Sequence, residues 1–129
     1  VTLSLRGASG APEPSLGALK TRVAALSDGR FTCTGEMQRD VATDFGPAAL
    51  LTCDGVEIVV STARHQCIDQ AAFAHIGVDP KAKRIVAVKS TVHFRADFAA
   101  WAKTVIRVKA PGFAICDLDE LTFDFDTGP

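Results

Sequence analysis

Apolar and polar residues alternate over three runs in the first third of the chain, and this alternation predicts half-buried β-strands. The runs are residues 1–5 (VTLSL), 18–27 (ALKTRVAALS) and 30–34 (RFTCT). Asp28 and Gly29 separate the second run from the third. An Asp-Gly pair in this position favours a tight turn, because glycine adopts a positive φ without a steric penalty. The pattern therefore predicts one short strand followed by an antiparallel hairpin.

A second Asp-Gly pair lies between residues 46–53 (GPAALLTC) and residues 56–62 (VEIVVST). Because the second of these runs alternates and the first is largely apolar, we predict a second antiparallel hairpin. Between the two hairpins, residues 35–46 (GEMQRDVATDFG) are mostly polar and are bounded by glycines. This composition indicates a loop, a class of segment that often carries function.

Helical signals replace alternation in the second half of the chain. Asp69 precedes residues 70–76 (QAAFAHI) and can cap a short helix there, which Gly77 would end. A longer helix is predicted from Ser90 to about Lys103, with Ser90 as its N-cap. Its apolar stripe consists of Phe94, Phe98, Trp101 and Val105.

Apolar runs flank this longer helix on both sides, at residues 84–89 (RIVAVK) and 104–112 (TVIRVKAPG). A strand, a helix and a strand with short joints form a βαβ unit, whose strands run parallel. The predicted fold is therefore mixed α/β, of the α+β type. Antiparallel β-hairpins come first and a βαβ unit last, in a mixed sheet with helices packed against it. We predict that residues 1–129 form a single domain, since a chain of this length can bury its own core.

The charge balance excludes two classes of partner. The chain carries 14 lysine and arginine residues against 15 aspartate and glutamate residues, a formal net charge of −1. This balance provides no basic surface for nucleic acid or an anionic membrane. No apolar run is long enough to span a bilayer. The cysteines have no CxxC spacing, which predicts reduced thiols and a cytoplasmic protein; they are Cys33, Cys53, Cys67 and Cys116.

The first candidate site is the polar start of the longer helix, within VKSTVHFRADF at residues 88–98. The N-terminus of a helix that follows a strand attracts carboxylate or phosphate groups, because its N–H groups lack partners. The candidate donors around this point are Lys89, Ser90, His93 and Arg95. From spacing alone, a solvated first turn with no ligand is the favoured interpretation, because a polar first turn is common on any helix.

The second candidate site is STARHQCID at residues 61–69, which also follows a predicted strand. Arg64 and Gln66 are donors of the type that hold a peptide or a carboxylate. On sequence alone, a solvated loop in which Asp69 caps the next helix remains the simpler interpretation.

Metal and nucleophile motifs are missing from the sequence. The histidines His65, His75 and His93 have no HxH, HxxxH or HExxH spacing, so no metal site is predicted in this chain. A nucleophilic pair of Cys67 with His75 or His93 would need a geometry that spacing does not indicate. Ser90 lacks a GxSxG setting, which argues against a serine nucleophile.

An ordered set of short motifs in the second half is characteristic of one family. In chain order they are SxxRxQ at residues 61–66, Asp69, Phe73, GVDP at residues 77–80, Lys89-Ser90, HFRA at residues 93–96 and Pro111-Gly112. With these motifs, residues 61–112 resemble the C-terminal domain of the MlrC (microcystinase C) family of zinc metallopeptidases. The first half resembles the family more loosely, through SDGRF at residues 27–31 and DFG at residues 44–46.

The resemblance implies a bacterial, two-domain hydrolase whose zinc and catalytic carboxylate belong to a larger N-terminal domain outside this chain. The chain would then be the substrate-facing C-terminal domain, inactive by itself, with peptides or small amides as substrates. Lys89, Ser90, His93 and Arg95, with Arg64 and Gln66, would line the cleft between the domains. Two alternatives stay open: a stand-alone, non-catalytic module that binds a small anion or a protein partner, and a polar cluster that only caps a helix and supports an interface.

Overall fold

The computed structural model describes residues 1–4 and 18–108, which form antiparallel sheets and short helices. The strands are β1 (Thr2–Ser4), β2 (Ala18–Lys20), β3 (Arg22–Ser27), β4 (Arg30–Thr32), β5 (Ala42–Asp44), β6 (Ala48–Cys53) and β7 (Val56–Ser61). The helices are α1 (Ala71–Ala74) and α2 (Arg95–Phe98), with a 3-10 turn at Pro80–Ala82 between them. Antiparallel strands with short helices agree with the predicted α+β type.

Strand β6 is the centre of an antiparallel sheet in which β3 and β7 are its neighbours. The pairing of β6 with β7 runs from Ala48 opposite Ser61 to Cys53 opposite Val56, which confirms the second predicted hairpin. Asp54 and Gly55 both have positive φ, at 48° and 79°. Positive φ at both central positions is the requirement of the two-residue turn that matches the twist of paired strands.

The main core lies between this sheet and the chain around α1. Ala48 and Leu50 of β6 pack against Ile76 and Val78, which follow α1. Partly buried side chains complete the cluster, namely Ala25, Val59 and Phe73. Burial of each leucine- or isoleucine-sized side chain stabilises the fold by about 2 kcal/mol, so this cluster holds α1 against the sheet.

The first predicted hairpin is wrong, because β3 and β4 do not pair. Strand β3 pairs with β6, and β4 pairs with β5. A tight turn does form between them, since Gly29 has a φ of 78° and its N–H donates to the Ser27 hydroxyl. Alternation identifies a strand and its buried face, but it does not identify the partner strand.

The predicted loop at residues 35–46 contains strand β5, so that prediction is also wrong in part. Arg30 lies opposite Asp44 in the β4–β5 pair, and the two side chains form an ion pair of 3.1 Å. The Gly46 N–H and the Arg30 guanidinium hold the pKa of Asp44 below its ordinary value. A two-stranded ribbon buries little surface, so its strands need few apolar residues. A strand of this kind is therefore hard to distinguish from a loop by its sequence.

The predicted strand at the N-terminus and the predicted helix after Asp69 are confirmed, each over a shorter range. Residues 2–4 form β1, which pairs with β2. The Asp69 carboxylate accepts the Ala71 N–H at 2.8 Å at the start of α1. Gly77, with a φ of 85°, follows the last turn. The predicted cap and stop therefore act as expected.

The βαβ unit is not confirmed. Residues 84–90 and 102–108 lie outside helices and strands, and residues 109–112 of the second predicted strand lie outside the described part of the chain. Of the helix predicted from Ser90 to about Lys103, only α2 forms, and residues 93–94 and 99–101 on either side of it are turns. Phe94 and Phe98 are buried as predicted, with 9% and 5% of their surface exposed. No helix in the described ranges has the length and apolar character needed to cross a bilayer.

Candidate functional site

Three of the predicted site residues meet at one point. The Ser90 hydroxyl lies 3.1 Å from the Gln66 side-chain oxygen, and His93 Nδ1 lies 3.4 Å from that same oxygen. Ser90 Oγ also accepts the Phe94 N–H at 3.3 Å, which leaves its proton for Gln66. The prediction of Ser90 as the N-cap is wrong, because α2 begins later, with Phe94 at its N-cap and no side-chain cap hydrogen bond. Because a carbonyl oxygen only accepts, His93 donates through Nδ1. We call these three residues the Gln66 cluster.

A backbone contact brings the two candidate segments together. The Cys67 N–H donates to the Lys89 carbonyl at 3.3 Å, which joins the chain after β7 to the chain before α2. The residues of the Gln66 cluster are separated by 24 and 27 positions in the sequence, so spacing could not reveal this contact. The cluster exists because the two segments lie side by side.

The three predicted cations are exposed, and two of them lie apart from this cluster. The Arg95 guanidinium lies 5.5 Å from the centre of the Phe94 ring, so it covers its own helix. Within residues 1–4 and 18–108, neither Lys89 nor Arg95 hydrogen-bonds to the cluster through its side chain. Arg64 lies on the surface next to His65. The roles of the three in substrate binding stay predictions.

A cavity of about 260 Å³ lies beside the Gln66 cluster, and Gln66 and His93 form part of its wall. The other lining residues are Phe31, Cys33, Met37, Gln38, Thr43, Phe45, His65, Ile68, Asp69 and Ala72. Six of the twelve lining residues are polar and six are apolar, so the cavity offers a small molecule both hydrogen-bonding groups and apolar surface.

A row of rings forms one wall of this cavity, a feature that the sequence patterns do not predict. The His65 ring stacks on Phe45 with centroids 4.8 Å apart and an interplanar angle of 10°. Phe45 in turn meets the Phe31 ring edge to face at 4.9 Å. The glycine-bounded polar segment at residues 35–46 was the available signal. Its composition predicts a functional loop but does not indicate which of its residues reach the cavity wall.

Asp69 joins two segments beside the cavity, the chain after β4 and the start of α1. Its side chain is 3% exposed and accepts N–H groups from Thr34 at 3.0 Å and from Gly35 and Ala71 at 2.8 Å. Asp97 reinforces this junction by accepting the Gln70 N–H at 2.6 Å. Buried carboxylates need such donors to offset their desolvation, so we assign Asp69 a structural role.

The thiol of Cys67 is unsuited to nucleophilic chemistry. Burial raises its pKa to about 12, and the nearby carboxylates of Asp69 and Asp97 act in the same direction. In the described part of the chain Cys67 forms no hydrogen bond with His75 or His93; its sulfur lies 4.0 Å from the Asp69 carbonyl oxygen. Cys33, Cys53 and Cys67 are all free thiols.

We expect Cys67 in the folded protein to react with iodoacetamide about 1,000-fold more slowly at pH 8 than a thiol of ordinary pKa, because the thiolate is the reactive form. Mass spectrometry of the alkylated peptide measures this rate, with the protein unfolded in urea as the reference. A folded-state rate within tenfold of the unfolded rate would contradict the buried thiol.

Folding raises the pKa of Cys67 from 9.0 to about 12, so this thiol also makes stability depend on pH. The stabilisation from the protonated thiol is complete below pH 9 and is lost as the pH rises towards about 12.

The described residues do not fit a metal ion. Among residues 1–4 and 18–108, no group of three or more histidine, cysteine, aspartate or glutamate side chains could hold one. Asp69 and Asp97 lie near each other, but backbone and amide N–H groups already occupy both carboxylates.

Comparison with known proteins assigns a family. The family model of the MlrC C-terminus matches residues 1–124. Microcystinase C from Sphingomonas sp. is 38% identical over 63 residues, which are 49% of this chain and 12% of that protein. The crystal structure of a protein from Mesorhizobium sp. BNC1, described as a "putative metallopeptidase", matches 86% of this chain and 20% of the Mesorhizobium chain, with 32% identity and a TM-score of 0.68. The chain thus spans a small part of both relatives. It belongs to the MlrC C-terminus family.

Proposed function

We propose that this chain is the C-terminal, substrate-facing domain of a bacterial MlrC-like metallopeptidase or amidohydrolase. The chain would act as one domain and line the cleft that it shares with an N-terminal domain. The metal, zinc by the family resemblance, would be held by that N-terminal domain. The observation that carries the proposal is the Gln66 cluster, whose polar side chains meet at the wall of a cavity.

The hydrogen bonds within the cluster leave specific atoms for a substrate. Because the Gln66 oxygen is occupied by Ser90 and His93, the Gln66 amide N–H₂ is the part that can donate to a peptide carbonyl. His93 contacts Gln66 through Nδ1, and its Nε2 has no hydrogen-bond partner among the described residues. Side chains held in this way present their remaining atoms in a fixed orientation, which lowers the entropy lost on binding.

The size of the cavity limits what it can hold. Its volume of about 260 Å³ lies just below the range of about 300–1,000 Å³ found for drug-sized ligands. One side chain or end of a peptide fits this volume better than a whole substrate does. The remainder would lie in the cleft, where Arg64, Lys89 and Arg95 would attract a substrate carboxylate.

The test is kinetic and uses the full-length enzyme loaded with metal. We expect His93→Ala and Gln66→Ala each to lower kcat/KM for a peptide amide by about 10- to 100-fold, since each removes a hydrogen bond to substrate. Metal content and melting temperature should stay unchanged. Lys81→Ala, an exposed lysine on the 3-10 turn, is the control and should keep full activity.

Two results would contradict the proposal. One is full activity of both variants with unchanged metal content and melting temperature. The other is an inability of the metal-loaded, full-length protein to hydrolyse any member of a panel of dipeptide and tripeptide amides.

A further inference from the structure

Two segments late in the chain have the sequence of β-strands but pair with no strand among residues 1–4 and 18–108. Residues 84–88 (RIVAV) and 104–108 (TVIRV) are rich in β-branched residues, which favour strands. Within the described chain, the backbone N–H and C=O groups of these two segments form no hydrogen bonds. A strand with unpaired backbone groups is a ready template for pairing with another strand.

Large apolar side chains on both segments are exposed to solvent. Ile85 is 87% exposed, Ile106 is 79% exposed and Val108 is 73% exposed. Burying each of them would stabilise the protein by about 2 kcal/mol, so exposure of all three is unfavourable. Each of these side chains would therefore gain from burial against another surface.

The connection between the segments determines how they can pair. It passes through α2, whose Phe98 is buried against the rest of the chain together with Phe94. Strands that neighbour each other across such a helical crossover run parallel in one sheet, and the crossover is right-handed. The two segments and α2 therefore have the layout of a βαβ unit whose strands join no sheet in the described part of the chain.

We propose that residues 84–88 and 104–108 are latent strands that join a β-sheet of the N-terminal domain of the full-length protein. The relatives indicate this occupant, because this chain covers 12% of Microcystinase C and 20% of the Mesorhizobium protein. Most of each relative therefore lies outside the matched region, and the matched family is by its description a C-terminus. Edge-to-edge pairing would satisfy the backbone groups of both segments and bury their exposed side chains.

The pairing would also position the proposed site. Lys89 and Ser90 follow directly after the first latent strand, and Ser90 belongs to the Gln66 cluster. If residues 84–88 pair with the N-terminal domain, the carboxyl end of this strand, and the cluster next to it, lie at the boundary between the two domains. Ligands of open α/β sheets bind at this end of the strands. The inference deepens the proposed function, but it rests on family membership; the strands can pair whether or not the cluster binds substrate.

Hydrogen exchange tests the proposal directly. In the 129-residue chain alone, we expect the amides of both segments to exchange at nearly unprotected rates. In the full-length protein that carries this sequence, we expect the ladder amides of the same segments to exchange at least about 100-fold more slowly. The β6–β7 hairpin is the internal reference, because its amides are paired within the chain and should be protected in both samples.

A pair of variants at one position separates backbone pairing from side-chain effects. Ile106→Pro removes an N–H that a ladder would need, whereas Ile106→Thr keeps it together with a β-branched side chain. In the full-length protein, we expect the proline variant to lose protection in both segments and the threonine variant to retain it. The β6–β7 reference shows that each variant is folded.

Three results would overturn the proposal. The first is fast exchange of both segments in the full-length protein. The second is protection in the isolated chain that rises with concentration, which would identify a second copy as the partner. The third is protection in the isolated chain that does not depend on concentration. Kinetic parameters do not enter these measurements, so failure of the pairing is distinguishable from failure of the proposed function.

Discussion

Replacing Asp69 with alanine is expected to lower the free energy of unfolding by about 4 kcal/mol, a large effect for one side chain. The carboxylate is 3% exposed and accepts N–H groups from Thr34, Gly35 and Ala71. Removing it leaves these donors without an acceptor in a buried place, at a cost of about 1–3 kcal/mol for each donor that water cannot reach. Both walls of the cavity would loosen, since Asp69 joins the chain after β4 to the start of α1.

Urea denaturation measures the change, with Asp79→Ala as a matched control. Asp79 also accepts a backbone N–H two residues on, from Lys81 at 2.9 Å, but at an exposed turn. We expect the control to lose about 1 kcal/mol, which is typical of a single cap. Asp69→Asn should lie between the two, because its amide keeps one acceptor oxygen. Equal losses for Asp69→Ala and Asp79→Ala would show that Asp69 is not a structural junction.

Replacing Gly29 with alanine is the second change with a large expected effect, a loss of about 3 kcal/mol or more. Its φ of 78° disfavours any Cβ, and a Cβ built there would overlap the carbonyl oxygen of Gly46. The two backbones are also tied together, because the Phe45 N–H donates to the Gly29 carbonyl at 2.9 Å. The clash cannot be relieved by a side-chain rotation, so the backbone must move.

Gly55→Ala isolates the conformational part of this effect. Gly55 has almost the same φ, 79°, but a Cβ there meets nothing within 4 Å. We expect Gly55→Ala to cost about 1 kcal/mol, the penalty for a left-handed conformation alone. Thermal unfolding of both variants gives the difference. Similar losses at the two glycines would contradict the close approach of Gly29 to Gly46, and with it the placement of Phe31 and Phe45 in the cavity wall.

Local features of the fold could be predicted from neighbouring residues. The β6–β7 turn follows from Asp54 and Gly55, and the start of α1 follows from Asp69, because a turn or a cap needs only a few adjacent residues. The burial of Phe94 and Phe98 follows from helical spacing in the same way. The sequence also predicts Gln66, Ser90 and His93 as site residues, a role that stays a prediction, but it does not predict their mutual contact.

The errors concern partners that are distant in the sequence. The alternating runs at residues 18–27 and 30–34 predict strands that pair with each other, but β3 and β4, which lie within these runs, belong to different sheets. The runs RIVAVK and TVIRVKAPG have strand propensity, yet their described residues, 84–89 and 104–108, form no ladder in this chain. Strand propensity measures how well side chains fit a pleated surface, and it is expressed only where a partner strand is present.

The sequence by itself therefore determined where this protein turns, that Asp69 binds the start of α1, that Phe94 and Phe98 are buried and, through its ordered motifs, the family to which the chain belongs. The tertiary structure decided which strands pair, that Gln66, Ser90 and His93 share one hydrogen-bonded cluster, and that Phe31, Phe45 and His65 form a wall beside it. The physical reason is the range of the interactions. Turns and caps are satisfied within a few residues, whereas sheets and cavities form between segments whose contact depends on closing long loops of chain.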